Sequence, residues 1–169
     1  MKKINIRNRF TEEVIFTYES ENNTIKETVE KANLRDADLR NANLRDADLR
    51  DANLRYANLR YADLRYADLI NVNLEDAYLR DVDLRDANLR DANLRNADLI
   101  NVNLEDAKNY YSFFAYDTSR RIVHCIKHKE KWMIKAGCFW GSLEELEEKV
   151  KATHNSKVYL ANIEILKSL

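Results

Sequence analysis

Residues 51–69 read DANLRYANLRYADLRYADL. Leucine returns every fifth position, at Leu54, Leu59, Leu64 and Leu69, with alanine two residues before each. A period of five fits neither the 3.6 residues of an α-helical turn nor the 2.0 of a strand. Wound as an α-helix, the leucines would advance about 500° each time and visit every face in turn. Drawn out as a strand, successive leucines would point to opposite faces. The remaining solution is a chain that turns a corner every five residues and keeps leucine and alanine inside. Small alanine beside large leucine then fills a narrow closed interior.

The pattern extends far beyond this stretch. From Ala32 to Ala107 leucine recurs without a break, from Leu34 to Leu104. The small residue two places earlier is alanine except at Val72, Val82 and Val102. Asn or Asp stands between the two, with Tyr78 the single exception. Arginine follows each leucine except at Ile70, Glu75, Ile100 and Glu105, and the fifth residue is Asp, Asn or Tyr. Within it ADLINVNLEDA occurs twice, at 67–77 and 97–107. On a twenty-residue circuit that thirty-residue offset places Ile70 and Ile100 on opposite sides, so segmental duplication explains it better than a shared patch.

Composition narrows the alternatives. The 169 residues include no proline and two glycines, Gly137 and Gly141. Turns that need positive φ or a preset φ are therefore expected to be almost absent. That argues against an ordinary sandwich, barrel or α/β enzyme. Residues 32–107 carry eleven arginines, no lysine and sixteen acids, whereas residues 108–169 are net basic. MKKINIRNRF has no signal-peptide core and no run of eighteen apolar residues occurs, so a cytoplasmic chain with no membrane span is expected. Cys125 and Cys138 suit a reducing compartment.

The unit A-(D/N)-L-R-X, repeated over about 76 residues, resembles the pentapeptide-repeat family. The resemblance implies a mainly β fold, a right-handed quadrilateral β-helix of about four coils. Such a stack needs protected ends. INIRNRFTEEVIFTYE at 3–18 predicts a hairpin, and the capping box from Thr24 to Glu27 opens a short helix to about Lys31. After the repeat, RRIVHCIKH and WMIKAGCF predict two strands around Lys129–Lys131. A second capping box, Ser142 to Glu145, starts a helix to about Thr153, and Tyr159 to Leu166 has helical spacing. The expected organisation is an N-terminal hairpin and helix (1–31), the β-helix (32–107) and a C-terminal ββαα cap (108–169). Similar flanking segments are associated with phage-encoded family members, a softer resemblance.

Arg55, Tyr56, Arg60, Tyr61, Arg65 and Tyr66 would form a belt over three successive sides of one coil. Single-strand nucleic-acid binders stack bases along a basic groove; a convex belt flanked by aspartates suits that poorly, and direct nucleic-acid binding is not expected. The arginines also predict surface ion-pair ladders, with Arg35, Arg55 and Arg95 in one column around Glu75, and Asp36 and Asp76 nearby. Such exposed pairs contribute about 0–1 kcal/mol each. Arginine and tyrosine are enriched at interface hot spots, which makes the belt the candidate protein-contact surface. The expectation is a non-enzymatic scaffold that binds an unidentified protein, in a phage setting inhibiting or evading a host protein. The alternative is a DNA-mimicking inhibitor of a DNA-handling enzyme such as gyrase or a host nuclease, because quinolone-resistance members of the family bind gyrase in that way. Duplex DNA carries one negative charge per roughly 1.7 Å; a rod about 18 Å tall with a net −5 falls short of that. No catalytic, cofactor or metal site is expected. His124, Cys125, His128, Cys138 and His154 match no zinc spacing, and Gly137 to Gly141 predicts a turn and an apolar anchor around Phe139 and Trp140.

Overall fold

The computed structural model describes residues 1–115, 121–128, 131–136, 139–153 and 156–169. It divides into two compact units, Met1–Lys108 and Asn109–Leu169.

In the first unit the pentads wind as a β-helix-like stack. Parallel bridges join residues twenty apart, from Asn43 with Asp63 to Asn88 with Lys108. Each circuit is tied to the next by its backbone: Leu64 N–H donates to the Asp83 carbonyl at 2.8 Å and Asp63 N–H to that of Ala42 at 2.9 Å. Leucines Leu39 to Leu99 are all at least nine-tenths buried, with the alanines and valines between them. Each corner is a four-residue turn; Ala62 N–H, for instance, donates to the Leu59 carbonyl at 3.0 Å across Arg60 and Tyr61.

The corners correct one expectation from composition. Positive φ is not rare here: the fifth residue of every unit, from Asp36 to Asp106, has φ between 52° and 63°. Asn and Asp take the left-handed region more readily than other side chains because their short polar groups bond locally. The repeat thus uses them where other folds use glycine, and three corners use tyrosine instead.

The first pentad departs from the pattern. Helix α1 spans Ile25–Leu34, with the Thr24 side chain accepting from Glu27 N–H at its start. It runs three residues beyond the expected end, because Ala32 and Asn33 continue its helical sequence and Ala32 is fully buried. Leu34 is consequently 75% exposed rather than inward. Arg35 is the helix C-cap and lies 6.0 Å from the Phe16 ring centre and 5.9 Å from that of Tyr18, so it does not join Arg55 and Arg95 in a ladder. The helix satisfies polar groups at the open end of the stack: Glu30 accepts from Asn53 N–H at 2.8 Å and Asn33 donates to the Arg55 carbonyl at 3.1 Å.

Strands β1 (Lys2–Asn8) and β2 (Val14–Ser20) form an antiparallel hairpin with a register shift after Ile6. Asn8 shapes its loop by accepting from Phe10 and Thr11 N–H. On its other edge β1 pairs with β3 (Ala42–Asn43), laying the hairpin along one side of the stack.

The second unit is a four-stranded antiparallel meander with two helices. Strands β4 (Tyr110–Ala115), β5 (Arg121–His128), β6 (Lys131–Ala136) and β7 (Phe139–Ser142) lie in chain order. Two strands were expected where four occur. Tyr110–Ala115 has apolar residues on both parities, so alternation does not mark it, and WMIKAGCF is divided between β6 and β7. Helix α2 (Leu143–Thr153) opens on a reciprocal capping box, Ser142 N–H to Glu145 at 2.8 Å and Glu145 N–H to Ser142 Oγ at 3.2 Å. That folded-back carboxylate explains Gly141, where a Cβ would lie 2.5 Å from Glu145 Oε2 and 2.7 Å from Phe139 Cζ. Helix α3 (Lys157–Ser168) contributes Tyr159, Ile163 and Leu166 to a core with Val123, Cys125, Ile134, Leu143, Leu146 and Val150. Gly137 and Cys138 of the expected turn, and Lys129 and Glu130, lie outside the described residues.

Candidate protein-contact surface

Tyr56, Tyr61 and Tyr66 occupy three consecutive corners, each with positive φ. A side chain without a local polar group is disfavoured there, at roughly 1–2 kcal/mol per residue. All three rings are about half exposed. Arg55 stacks 4.5 Å over the Tyr56 ring and Arg45 4.8 Å over that of Tyr66. Corner residues recur every twenty positions, so the tyrosines follow the circuit instead of piling on one another.

The surface includes two aromatics that sequence reasoning did not connect with it. Tyr78 lies one circuit above Asn58, on the side bounded by the Tyr56 and Tyr61 corners, and is 45% exposed. Arg60 stacks 4.7 Å over its ring. The clue was present, since Tyr78 is the one residue that breaks the Asn/Asp rule, but its neighbours follow only from the twenty-residue winding. Phe10, 71% exposed at the hairpin loop, is the other. Arg9 links it to the circuit, lying 5.1 Å over the Phe10 ring and donating to the Tyr61 carbonyl at 3.2 Å.

The same side lacks a local lock. In most units the side-chain oxygen before the leucine accepts from the N–H after it, as Asp38 does from Arg40 N–H at 3.1 Å and Asp98 from Ile100 N–H at 3.3 Å. Between those two circuits the lock is gone. Asn58 Oδ1 is buried with no hydrogen-bond partner, and Tyr78 offers no such acceptor.

The arginines of the belt differ in what holds them. Arg55 reaches Glu75 at 3.5 Å and Asp76 at 3.4 Å. Arg65 is committed to Asp63, with Nε to Oδ1 at 2.8 Å, and also reaches Asp83 at 3.6 Å. Asp63 is only 4% exposed, although this position was expected to face solvent, because the hairpin covers it and brings Arg9 to 4.0 Å. Burial is the largest influence on the Asp63 pKa and raises it, but the hydrogen bonds and charge of Arg65, with the charge of Arg9, together hold the carboxyl below its ordinary value. Hydrogen bonds from Arg40, Arg50 and Arg85 likewise lower Asp38, Asp48 (to about 2) and Asp83. A further column is uncharged: Asn93 donates to Asn73 at 3.2 Å and Asn73 to Asn53 at 3.4 Å. Arg60 alone in the belt is in no ion pair among the described residues.

In the second unit Cys125 is fully buried, and burial raises its thiol pKa, leaving it protonated. Burial lowers His124 to about 4 and raises Tyr110 to about 12. With His124 neutral, Nδ1 and the Tyr110 hydroxyl share a hydrogen bond of 2.9 Å, which accounts for both groups as structure. Among the described residues no cluster of three or more His, Cys, Asp or Glu could hold a metal ion. The His128 side chain, Cys138 and His154 lie outside them. No helix among the described residues is long and apolar enough to cross a membrane.

Comparison with known proteins agrees with the repeat. No curated protein matches the chain. Among solved structures, a pentapeptide repeat protein of the cyanobacterium Cyanothece 51142 is 35% identical over 40% of this chain and 53% of its own, with a TM-score of 0.21. HetL of Nostoc sp. strain PCC 7120, a pentapeptide repeat protein involved in heterocyst differentiation regulation, is 36% identical over 42% of this chain and 38% of its own, with a TM-score of 0.21. The chain thus spans about half or less of the length of these two. A further pentapeptide repeat protein of Nostoc PCC 7120 is 31% identical over 50% of this chain and 78% of its own, with a TM-score of 0.23. The family model for pentapeptide repeats matches residues 32–69 and 67–106, the stretch that winds through the leucine-filled stack. The chain belongs to the pentapeptide repeat family.

Proposed function

We propose that this protein is a non-enzymatic scaffold that binds another protein through the Arg–Tyr belt of its repeat. The observation that supports this most is the placement of Tyr56, Tyr61 and Tyr66. They stand half exposed on left-handed corners that Asn or Asp fills in every other unit. Departures from local preference that leave large side chains open to solvent are expected at functional sites. Tyrosine and arginine also supply large contact area at protein interfaces for little conformational entropy.

The test is capture from a bacterial lysate by immobilised full-length protein, beside a variant carrying Tyr56→Ser, Tyr61→Ser and Tyr66→Ser. The scaffold reading expects one or more proteins retained by the wild type and lost by the variant, while circular dichroism shows the fold intact. Equal retention by both would remove the belt from consideration.

A further inference from the structure

We infer that the side of the stack between the Tyr56 and Tyr61 corners is a docking surface for an extended acidic peptide segment carrying a carboxylate beside an aromatic or aliphatic residue. This deepens the scaffold reading and rests on it.

Three independent observations converge on this side. First, it gathers exposed apolar groups from three successive circuits: Tyr56 and Tyr61 at its edges, Tyr78 one circuit on and Ile100 one circuit further. With circuits about 4.8 Å apart, Tyr56 and Ile100 are about 10 Å apart along the stack, the span of three extended residues. Secondly, Asn58 and Tyr78 forgo the side-chain lock found in the circuits on either side, and Tyr56 and Tyr61 occupy disfavoured backbone. The local costs of the repeat accumulate where the apolar groups do.

Thirdly, charge selects the occupant. Arg40 on this side is paired with Asp38, and Arg80 with Asp98 at 3.5 Å. Arg60, between them, is in no ion pair among the described residues, and its guanidinium lies over the Tyr78 ring. A guanidinium held over an aromatic face keeps N–H donors available for a carboxylate, to which it can donate twice. The apolar groups around it would cover the neighbouring side chain of the same segment. A basic segment would set its own cation against Arg60, which has no ion-pair partner among the described residues.

The test uses a library of random twelve-residue peptides displayed on phage, selected on the full-length wild type. Enriched sequences are then synthesised, and their affinity is measured for the wild type and for Arg60→Gln, Tyr78→Asn and Arg90→Gln. Tyr78→Asn restores the repeat consensus, and Arg60 and Arg90 are outward residues, Arg90 on the opposite side, so all three variants should fold; denaturation curves verify this. The inference expects peptides with Asp or Glu beside an aromatic or aliphatic residue, at least tenfold weaker binding to Arg60→Gln and Tyr78→Asn, and binding to Arg90→Gln within twofold. Enrichment of basic peptides, no enrichment at all, or affinities unchanged by Arg60→Gln would overturn it. So would a dimer in the ultracentrifuge abolished by Tyr78→Asn, which would assign the side to a second copy. Each of these leaves the broader scaffold reading to be judged separately, by lysate capture with the triple serine variant.

Discussion

Replacing Tyr61 with asparagine and, separately, with alanine isolates the backbone cost of the corner. Both changes remove the same half-exposed ring, so loss of ring contact nearly cancels between them. What remains is the tolerance of each residue for φ of 62°. Alanine there keeps the left-handed penalty of roughly 1–2 kcal/mol, much of which asparagine escapes. The new amide would also sit between Asn41 and Asp81 in the twenty-residue column. Asn71 donates to Asp51 at 2.7 Å in the same way, and Asn101 to Asp81 at 3.1 Å. A net hydrogen bond of about 0.5–1 kcal/mol is therefore available. Tyr61→Asn should exceed Tyr61→Ala in unfolding free energy by about 1–2 kcal/mol. In an exposed helix interior the order reverses by up to about 0.7 kcal/mol, so the same pair at the exposed Glu148 of α2 serves as a control. The assay is urea unfolding followed by far-ultraviolet circular dichroism, since both tryptophans, Trp132 and Trp140, lie in the second unit and would not report on the repeat. Alanine equal to or better than asparagine at position 61 would refute the reasoning.

Other consequences are as direct. Leu64→Ala in mid-stack should cost 2–5 kcal/mol, whereas Leu34→Ala, in the same sequence motif but exposed on α1, should cost under about 1; comparable losses in urea melts would contradict the winding. His124 has a folded pKa of about 4 against an ordinary 6.5, so its contribution is present above pH 6.5 and lost as pH falls through about 4. By linkage that amounts to about 3 kcal/mol; tryptophan-monitored stability should fall over this window, and His124→Gln should abolish most of the fall. The lowered carboxylates Asp38, Asp48, Asp63 and Asp83 stabilise the repeat above about pH 4, a contribution lost as pH falls towards 2, so its circular dichroism should outlast the tryptophan transition on acidification. Duplex DNA added in excess should not displace captured proteins; displacement would favour the DNA-mimic alternative.

Much of the fold could be read from leucine periodicity, because one inward residue in five admits few windings. The decorated surface was less legible. Positive φ at the corners is invisible to a search for glycine, since Asp and Asn fill the same role. Leu34 obeys the repeat yet belongs to α1, where helix capping at Thr24 and burial of Ala32 prevail over periodicity. Asp63 obeys it too, but the hairpin buries it, a tertiary contact no pentad records. Tyr78 and Phe10 were single anomalies in the sequence. Only the twenty-residue circuit and the pairing of β1 with β3 bring them beside Tyr61.

The claim that the tyrosine-bearing side meets another protein is tested most directly by photo-crosslinking. A benzophenone amino acid is placed at Tyr61, at Tyr78 or, on the opposite side, at Arg90, and each full-length protein is irradiated in bacterial lysate. Discrete crosslinked bands from positions 61 and 78, and none from 90, are predicted. Bands from position 90 alone, or the same bands from all three, would contradict it.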